Sequence, residues 1–306
     1  MKLANPYYKS FFSISFIFCL IFTLSPNSSA KPAFDENRAY EYLKKQCAFG
    51  PRPPGSESHK KTRDYLASEL KKYANSIILQ DFTYKGEGKD IKLTNIIAVF
   101  GPETKKKLML CAHWDTRPFA DRDPNPEKRN IPIIGANDGA SGVAVLLELA
   151  RAFYKEKPPF RVIIVLFDGE DYGKSTQDMF LGSKYFAQNI RTEWIPEYGI
   201  LLDMIGDKNL DIYIEQNSLE NAPEIVKKVW ELAKRLGFKE FHNKIGYNIV
   251  DDHIQLIKKG IPCIDIIDFD YPYWHTLGDT IDKCSPKSLG IIGRLLIELI
   301  YQYEND

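Results

Sequence analysis

Arg161-Val162-Ile163-Ile164-Val165-Leu166-Phe167 runs without a break into Asp168-Gly169-Glu170-Asp171. A continuous apolar run bounded by Pro159 and Gly169 reads as a central strand buried on both faces. Such strands belong to sheets covered by helices on both sides. In those sheets ligands bind beyond the carboxyl ends of the strands. The acidic residues that follow Phe167 therefore stand where chemistry is expected.

Working outward, strand-like runs are expected at Ile77–Tyr84, Leu93–Phe100, Leu108–Ala112, Tyr198–Leu202, Leu210–Glu215 and Pro262–Ile267. Apolar residues at three- and four-residue spacing predict helices from about Asp35 to Tyr73, interrupted by Gly50-Pro51-Arg52-Pro53-Pro54-Gly55. Further helices are predicted at Gly139–Tyr154, Ala222–Leu236, Asp252–Lys258 and Ser288–Tyr303. A Gly- and Pro-bounded loop spans Thr116 to Gly135. The fold class is α/β, a central mostly parallel mixed sheet flanked by helices on both faces. No repeat, linker or shift in composition divides the chain, so residues 31–306 are expected to form a single domain.

The first 30 residues read differently. Lys2 and Lys9 precede an uncharged Phe- and Ile-rich stretch, Phe11 to Leu24, and then Ser28-Ser29-Ala30, small residues that suit signal peptidase. The apolar run is shorter than the roughly 20 residues that span a bilayer, which favours a cleaved export signal over a retained anchor. The mature protein is expected in the periplasm or secreted, a monomer with no membrane attachment. The 306 residues carry 41 Lys+Arg and 41 Asp+Glu, and cations do not accumulate beyond Lys105-Lys106-Lys107, which argues against nucleic-acid binding. Cys47, Cys111, Cys263 and Cys284 contain no Cys-x-x-Cys pair, so a thiolate zinc site is not expected. Cys111 and Cys263 lie in strand-like runs and read as small core residues; a Cys47–Cys284 bridge is left open.

The strand ends are chemically unusual. Leu108–Ala112 leads into His113-Trp114-Asp115, and Asn137-Asp138-Gly139 precedes the next helix. Arg161–Phe167 delivers Glu170 and Asp171, Ile200–Leu202 ends at Asp203, and Pro262–Ile267 leads through an aromatic loop to Trp274-His275-Thr276. Any one of these acids would by default be a helix cap. Together they would repel one another unless a cation neutralises them. Imidazoles and carboxylates without a thiolate suit Zn²⁺ in a catalytic site. Adjacent Glu170 and Asp171 can divide the work, one holding metal and the other moving protons. His113-x-Asp115 and His275-x-x-x-Asp279 each place a carboxylate where it could fix a ring tautomer, although Asp279 also reads as a turn residue. Asp251, just before the helix at Asp252, is a further candidate; His59 and His242 sit in polar stretches and are expected at the surface.

In this order the motifs resemble the M28 zinc-peptidase family and, within it, the glutaminyl-peptide cyclotransferases. The resemblance covers nearly all of the mature chain. His113-x-Asp115, Asn137-Asp138-Gly139, Gly169-Glu170-Asp171, Asp203 and His275-Thr276 match the general family pattern. Asp251-Asp252-His253-Ile254, Lys259-Gly260-Ile261-Pro262 and Trp274-His275-Thr276 look like cyclase motifs. The resemblance implies a zinc-aminopeptidase-like sheet with one zinc held by Asp138, Asp171 and His275. It also implies Glu170 as general acid and base, Asp203 and Asp251 as a hydrogen-bonded acid network beside it, and Trp274 as a wall of the substrate pocket. Two departures stand out: animal cyclases carry Glu at the position of Asp171 and Gln at the position of Val250.

The implied substrates are peptides or proteins with N-terminal glutamine, cyclised to pyroglutamate with loss of ammonia. The chief alternative is a two-metal zinc aminopeptidase, with His113 and Asp203 holding the second ion and Asp138 bridging. A non-catalytic binding ectodomain is a third class, and it ranks last because no metal ligand is missing.

Overall fold

The computed structural model describes residues 1–3, 31–86 and 89–301. The expected export signal lies almost wholly outside the described residues. Among those residues, no helix is long and apolar enough to cross a membrane.

Six strands form the main sheet: β1 (Ser76–Gly86), β2 (Lys89–Phe100), β3 (Lys107–His113), β4 (Arg161–Phe167), β5 (Tyr198–Asp203) and β8 (Cys263–Ile267). Their order is β1-β2-β4-β3-β5-β8. β4, β3, β5 and β8 run parallel, and β2 pairs antiparallel with both β1 and β4. The expected Leu210–Glu215 strand does not join this sheet; β6 (Ile212–Glu215) instead pairs with β7 (Phe241–Tyr247) in a separate two-stranded sheet.

The period of two along each strand divides the apolar residues between two cores. Ile96, Leu110, Ile164, Ile200 and Ile264 pack on one face with α1 (Glu36–Cys47), α3 (Ala140–Lys155), α6 (Pro223–Arg235) and α8 (Pro286–Tyr301). Ile97, Met109, Ile163 and Leu201 face the other side, against Phe186 of α4 (Leu181–Gln188) and Leu256 of α7 (Asp252–Lys258). β4 has no solvated face, which is why its sequence is apolar without alternation. The predicted interruption at Gly50–Gly55 separates α1 from α2 (Glu57–Lys71). Its Arg52 is fully buried and donates to the carbonyls of Trp114, Ile134 and Gly135, tying that turn to the loops at the carboxyl edge.

All four described cysteines are free and buried, so the Cys47–Cys284 bridge left open by spacing is not formed. Cys111 and Cys263 are core residues as expected. Burial pushes the Cys47 thiol up to about 11, which makes it a poor nucleophile.

Candidate metal centre and active site

Parallel pairing lines up the carboxyl ends of neighbouring strands. Leu108 pairs with Tyr198 and Cys111 with Leu201, so continuing the register sets His113 at the end of β3 beside Asp203 at the end of β5. Their side chains meet at 3.2 Å. Asp138 enters from the turn before α3, Glu170 and Asp171 from the turn after β4, and His275 from the loop after β8. Gly139 permits the first of these turns, with φ of +101° and a missing Cβ that would lie 2.5 Å from the Asp115 carbonyl oxygen. His275 and Met204 hold left-handed backbones, φ 55° and 47°, strained conformations of the kind retained at functional sites.

Two groups of potential ligand atoms result, each within 4.8 Å of one another: Asp138, Asp171 and His275, and His113, Asp138 and Asp203. In each group the imidazole Nε2 already faces carboxylate oxygens, that of His275 lying 3.3 Å from one of Asp171. His113 Nε2 lies 3.2 Å from an oxygen of Asp138 and 3.2 Å from one of Asp203. By contrast, Oδ2 of Asp138 and Oδ2 of Asp171 are buried with no hydrogen-bond partner. Such orphans are costly in a folded protein unless a ligand satisfies them. The oxygen and imidazole donors, without thiolate, fit zinc.

The charges are compatible with the same cation. Burial raises the Asp138 carboxyl above its ordinary range, and neighbouring Asp171 adds to it. Burial also opposes ionisation of Asp171, but His275 and Arg117 bring it down to about 2. His275 in turn rises to about 9: burial works against its charge, and Asp171 and Asp121 outweigh that. The imidazoles thus supply positive charge that a dication would supply when bound.

Glu170 stands apart from the ligand groups. Its backbone N–H donates to Asp115 and its carbonyl accepts from Phe180, so the main chain is fixed. Its carboxylate makes no hydrogen bond among the described residues, and His113 Nδ1 lies 3.9 Å from it. Burial pushes this carboxyl well above the usual range, and Asp171 reinforces the shift.

Seven of the expected site residues line one pocket. Asp138, Glu170, Asp171, Asp203, Asp251, Trp274 and His275 line it together with apolar Met204, Ile249 and Phe269, and the enclosed space is small, about 50 Å³. Val250, exposed on one side, also reaches it. Trp274 packs on Phe269 with ring centroids 4.8 Å apart and beneath the Arg122 guanidinium. The acids beside Glu170 do not bond one another directly among the described residues. Asp203 bonds His113, and Asp251 caps α7 by accepting from the Asp252 N–H. Like charges keep such groups apart until a proton or a substrate amine lies between them.

The supports differ from the expected ones. Asp115 lies 3.6 Å from His113 Nδ1, beyond hydrogen-bond reach, and instead accepts the backbone N–H groups of Glu170 and Asp171. Asp279 likewise accepts the N–H groups of Asn137 and Asp138 and the Tyr271 hydroxyl, and it does not touch His275. The carboxylate facing His275 Nδ1 is Asp121, at 3.3 Å. Neither Asp121 nor Arg117 was legible as a site residue; the available signal was their place in a loop leaving a strand's carboxyl end. His59, expected at the surface, is buried, bonds Asp168 at 2.7 Å and stacks on Trp114. Amphipathic spacing on α2 conceals this, because its partners come from β3 and the turn after β4. His242 is half-buried and pairs with Asp211.

This fold and donor set define a metal-dependent exopeptidase-like α/β scaffold, and known proteins agree. A family profile described as Peptidase family M28 matches residues 95–300, and the chain belongs to that family. A crystal structure of a Zn-dependent exopeptidase from Parabacteroides distasonis superposes with TM-score 0.86 at 40% identity, covering 89% of this chain and 100% of that one. Glutaminyl cyclase from Bacteroides thetaiotaomicron superposes with TM-score 0.86 at 39% identity, covering 89% and 99%. Among curated proteins, a glutaminyl-peptide cyclotransferase-like protein of Bos taurus is 25% identical over 283 residues, 82% of this chain and 72% of that protein. The family and the exopeptidase likeness imply zinc as the metal.

Proposed function

We propose that this protein is a zinc-dependent glutaminyl-peptide cyclotransferase, acting outside the cytoplasm as a monomer on peptides or proteins that begin with glutamine. The observation that carries the reading is the buried, unbonded Glu170 carboxylate beside the orphaned oxygens of Asp138 and Asp171. The likeness to glutaminyl cyclases supports it over hydrolysis. Asp138, Asp171 and His275 would hold one zinc.

Zinc held by Asp138, Asp171 and His275 would supply Lewis-acid polarisation of a side-chain carbonyl and stabilisation of negative charge developing on its oxygen. The α-amine nitrogen then bonds to the side-chain carbonyl carbon while the bond from that carbon to the amide nitrogen breaks, and ammonia leaves. Glu170 takes a proton from the amine and returns it to the departing nitrogen, a double duty suited to a carboxyl with a raised pKa. Asp251 helps keep that pKa high, and Asp203 and Asp251 would accept hydrogen bonds from the amine. Trp274 and Phe269 form an apolar wall that excludes competing water. Because the nucleophile is tethered to the carbonyl it attacks, orientation within the pocket supplies much of the acceleration.

The test is a pair of substrates. A Gln-initiated peptide should lose ammonia and gain a pyroglutamyl end, while a Leu-initiated peptide stays intact. Free leucine from the second would replace cyclisation with aminopeptidase activity.

A further inference from the structure

Arg117 is almost fully buried, and each of its three guanidinium nitrogens donates within one constellation. Nε and Nη2 form a two-pronged pair with Asp121 at 2.9 and 2.8 Å. Nη1 donates to Asp171 Oδ1 at 2.9 Å and also to the carbonyls of Asp171 and Gly173. Asp121 Oδ1 in turn faces His275 Nδ1 at 3.3 Å, and His275 Nε2 comes back to Asp171 Oδ1 at 3.3 Å. The four side chains close a ring. The same loop is tied to the His275 segment by its backbone: the Arg122 N–H donates to the His275 carbonyl, and Asp123 accepts from the Leu277 N–H.

We infer that Arg117 and Asp121 form a positioning clamp that sets how tightly and how long the metal is held. The inference rests on the reading of Asp171 and His275 as ligands. Asp121 fixes His275 with Nδ1 as the donor, so Nε2 is the nitrogen left for a metal. Arg117 occupies one oxygen of Asp171 and leaves the buried, partnerless Oδ2 as the other. A planar, permanently charged fork satisfies both carboxylates at once, which a lysine ammonium on a flexible stem cannot reproduce. A loop tie alone would need the Arg117–Asp121 pair but not the contacts from that pair to both ligands.

The experiment measures zinc release from the zinc-loaded full-length protein into a chromophoric chelator. Parent, Asp121→Asn, Arg117→Lys and the double variant are compared, and the melting temperature of each zinc-free protein is recorded. The clamp predicts release or affinity changed by about 10- to 100-fold in each single variant, the range found for supports behind metal ligands. It also predicts little further loss in the double variant, because the two act as one network. The zinc-free melting temperature of Asp121→Asn records what the loop loses with its charge pair to Arg117, so the change in zinc release is read beside it. Asp121→Asn keeps the test decisive if Arg117→Lys fails to fold. Release within about twofold of the parent in Asp121→Asn would overturn the clamp, that being far below the expected range. Companion variants Asp171→Ala and His275→Ala separate the two failures. If they lose zinc while Asp121→Asn is silent, only the clamp falls; if they retain stoichiometric zinc, the ligand reading falls first.

Discussion

At the scale of single residues, the site works by giving adjacent acids opposite environments. Asp171 is held ionised at about 2 by His275 and Arg117 in spite of its burial, while burial drives neighbouring Glu170 well above the ordinary range. One side chain suits a cation and the next suits a mobile proton. Glu170→Gln preserves shape and removes no hydrogen bond to a proposed ligand, so zinc content should stay at the parent level while turnover falls by about 10²- to 10⁴-fold, the span of acid–base catalysis. His275→Ala should lose zinc. Metal analysis beside an ammonia-release assay checks both, and an active, zinc-replete His275→Ala protein would sink the ligand assignment. The expected role of Asp279 was misplaced at this scale, and Asp115 sits beside His113 but bonds the main chain, because nearness in sequence does not decide which group a carboxylate meets. Both cap backbone N–H groups contributed by other segments.

At the scale of elements, the metal edge depends on how closely α3 sits on the sheet. A Cβ on Gly142 would lie 2.3 Å from the Leu202 carbonyl oxygen and 2.9 Å from Ala112 Cβ, so the helix start fits only because glycine is there. Gly142→Ala should push the first turn of α3 outward, and Asp138 with it, at a cost of about 1–3 kcal/mol as for other overpacked sites. Denaturant unfolding would show the loss, and zinc affinity should weaken in parallel; a variant as stable as the parent would mean that α3 has room to move. The helices and strands that build this edge were readable to within a few residues, from α7 at Asp252–Lys258 to β4 at Arg161–Phe167. Those that escaped lack a signal. β7 presents exposed or half-buried side chains, and α4 is eight residues long with Phe180 at its N-cap and no side-chain cap.

At the scale of the whole molecule, buried charge away from the metal edge also governs stability. Glu215, 1% exposed, ties β6 to α5 (Gln216–Asn221) and to the Ile249 N–H, and it lies 3.3 Å from His253 Nε2 of α7. Burial alone would raise its carboxyl, yet His253 and the N–H donors lower it from 4.5 to about 2. A depressed folded-state pKa adds stability that is complete above the unfolded value and disappears as pH falls through the folded one. The window is therefore pH 4.5 down to about 2. Glu215→Gln should cost about 3 kcal/mol at neutral pH, because each tenfold change in proton affinity between the folded and unfolded chain is worth roughly 1.4 kcal/mol. Parent and variant should converge near the acid end, and urea titrations at several pH values would give parallel curves if Glu215 carried no such linkage. The succession of strands along the chain, the identity of the parallel core and the arrival of His113, Asp138, Glu170, Asp171, Asp203 and His275 at one edge were legible in the chain itself, because periodicity and chain order are local properties. Which carboxylate backs which imidazole, the burial of His59 against Asp168, and the ring through Arg117 and Asp121 were decided only by tertiary structure. Those contacts join loops far apart in sequence, and their distances depend on strand register and packing that no local pattern encodes.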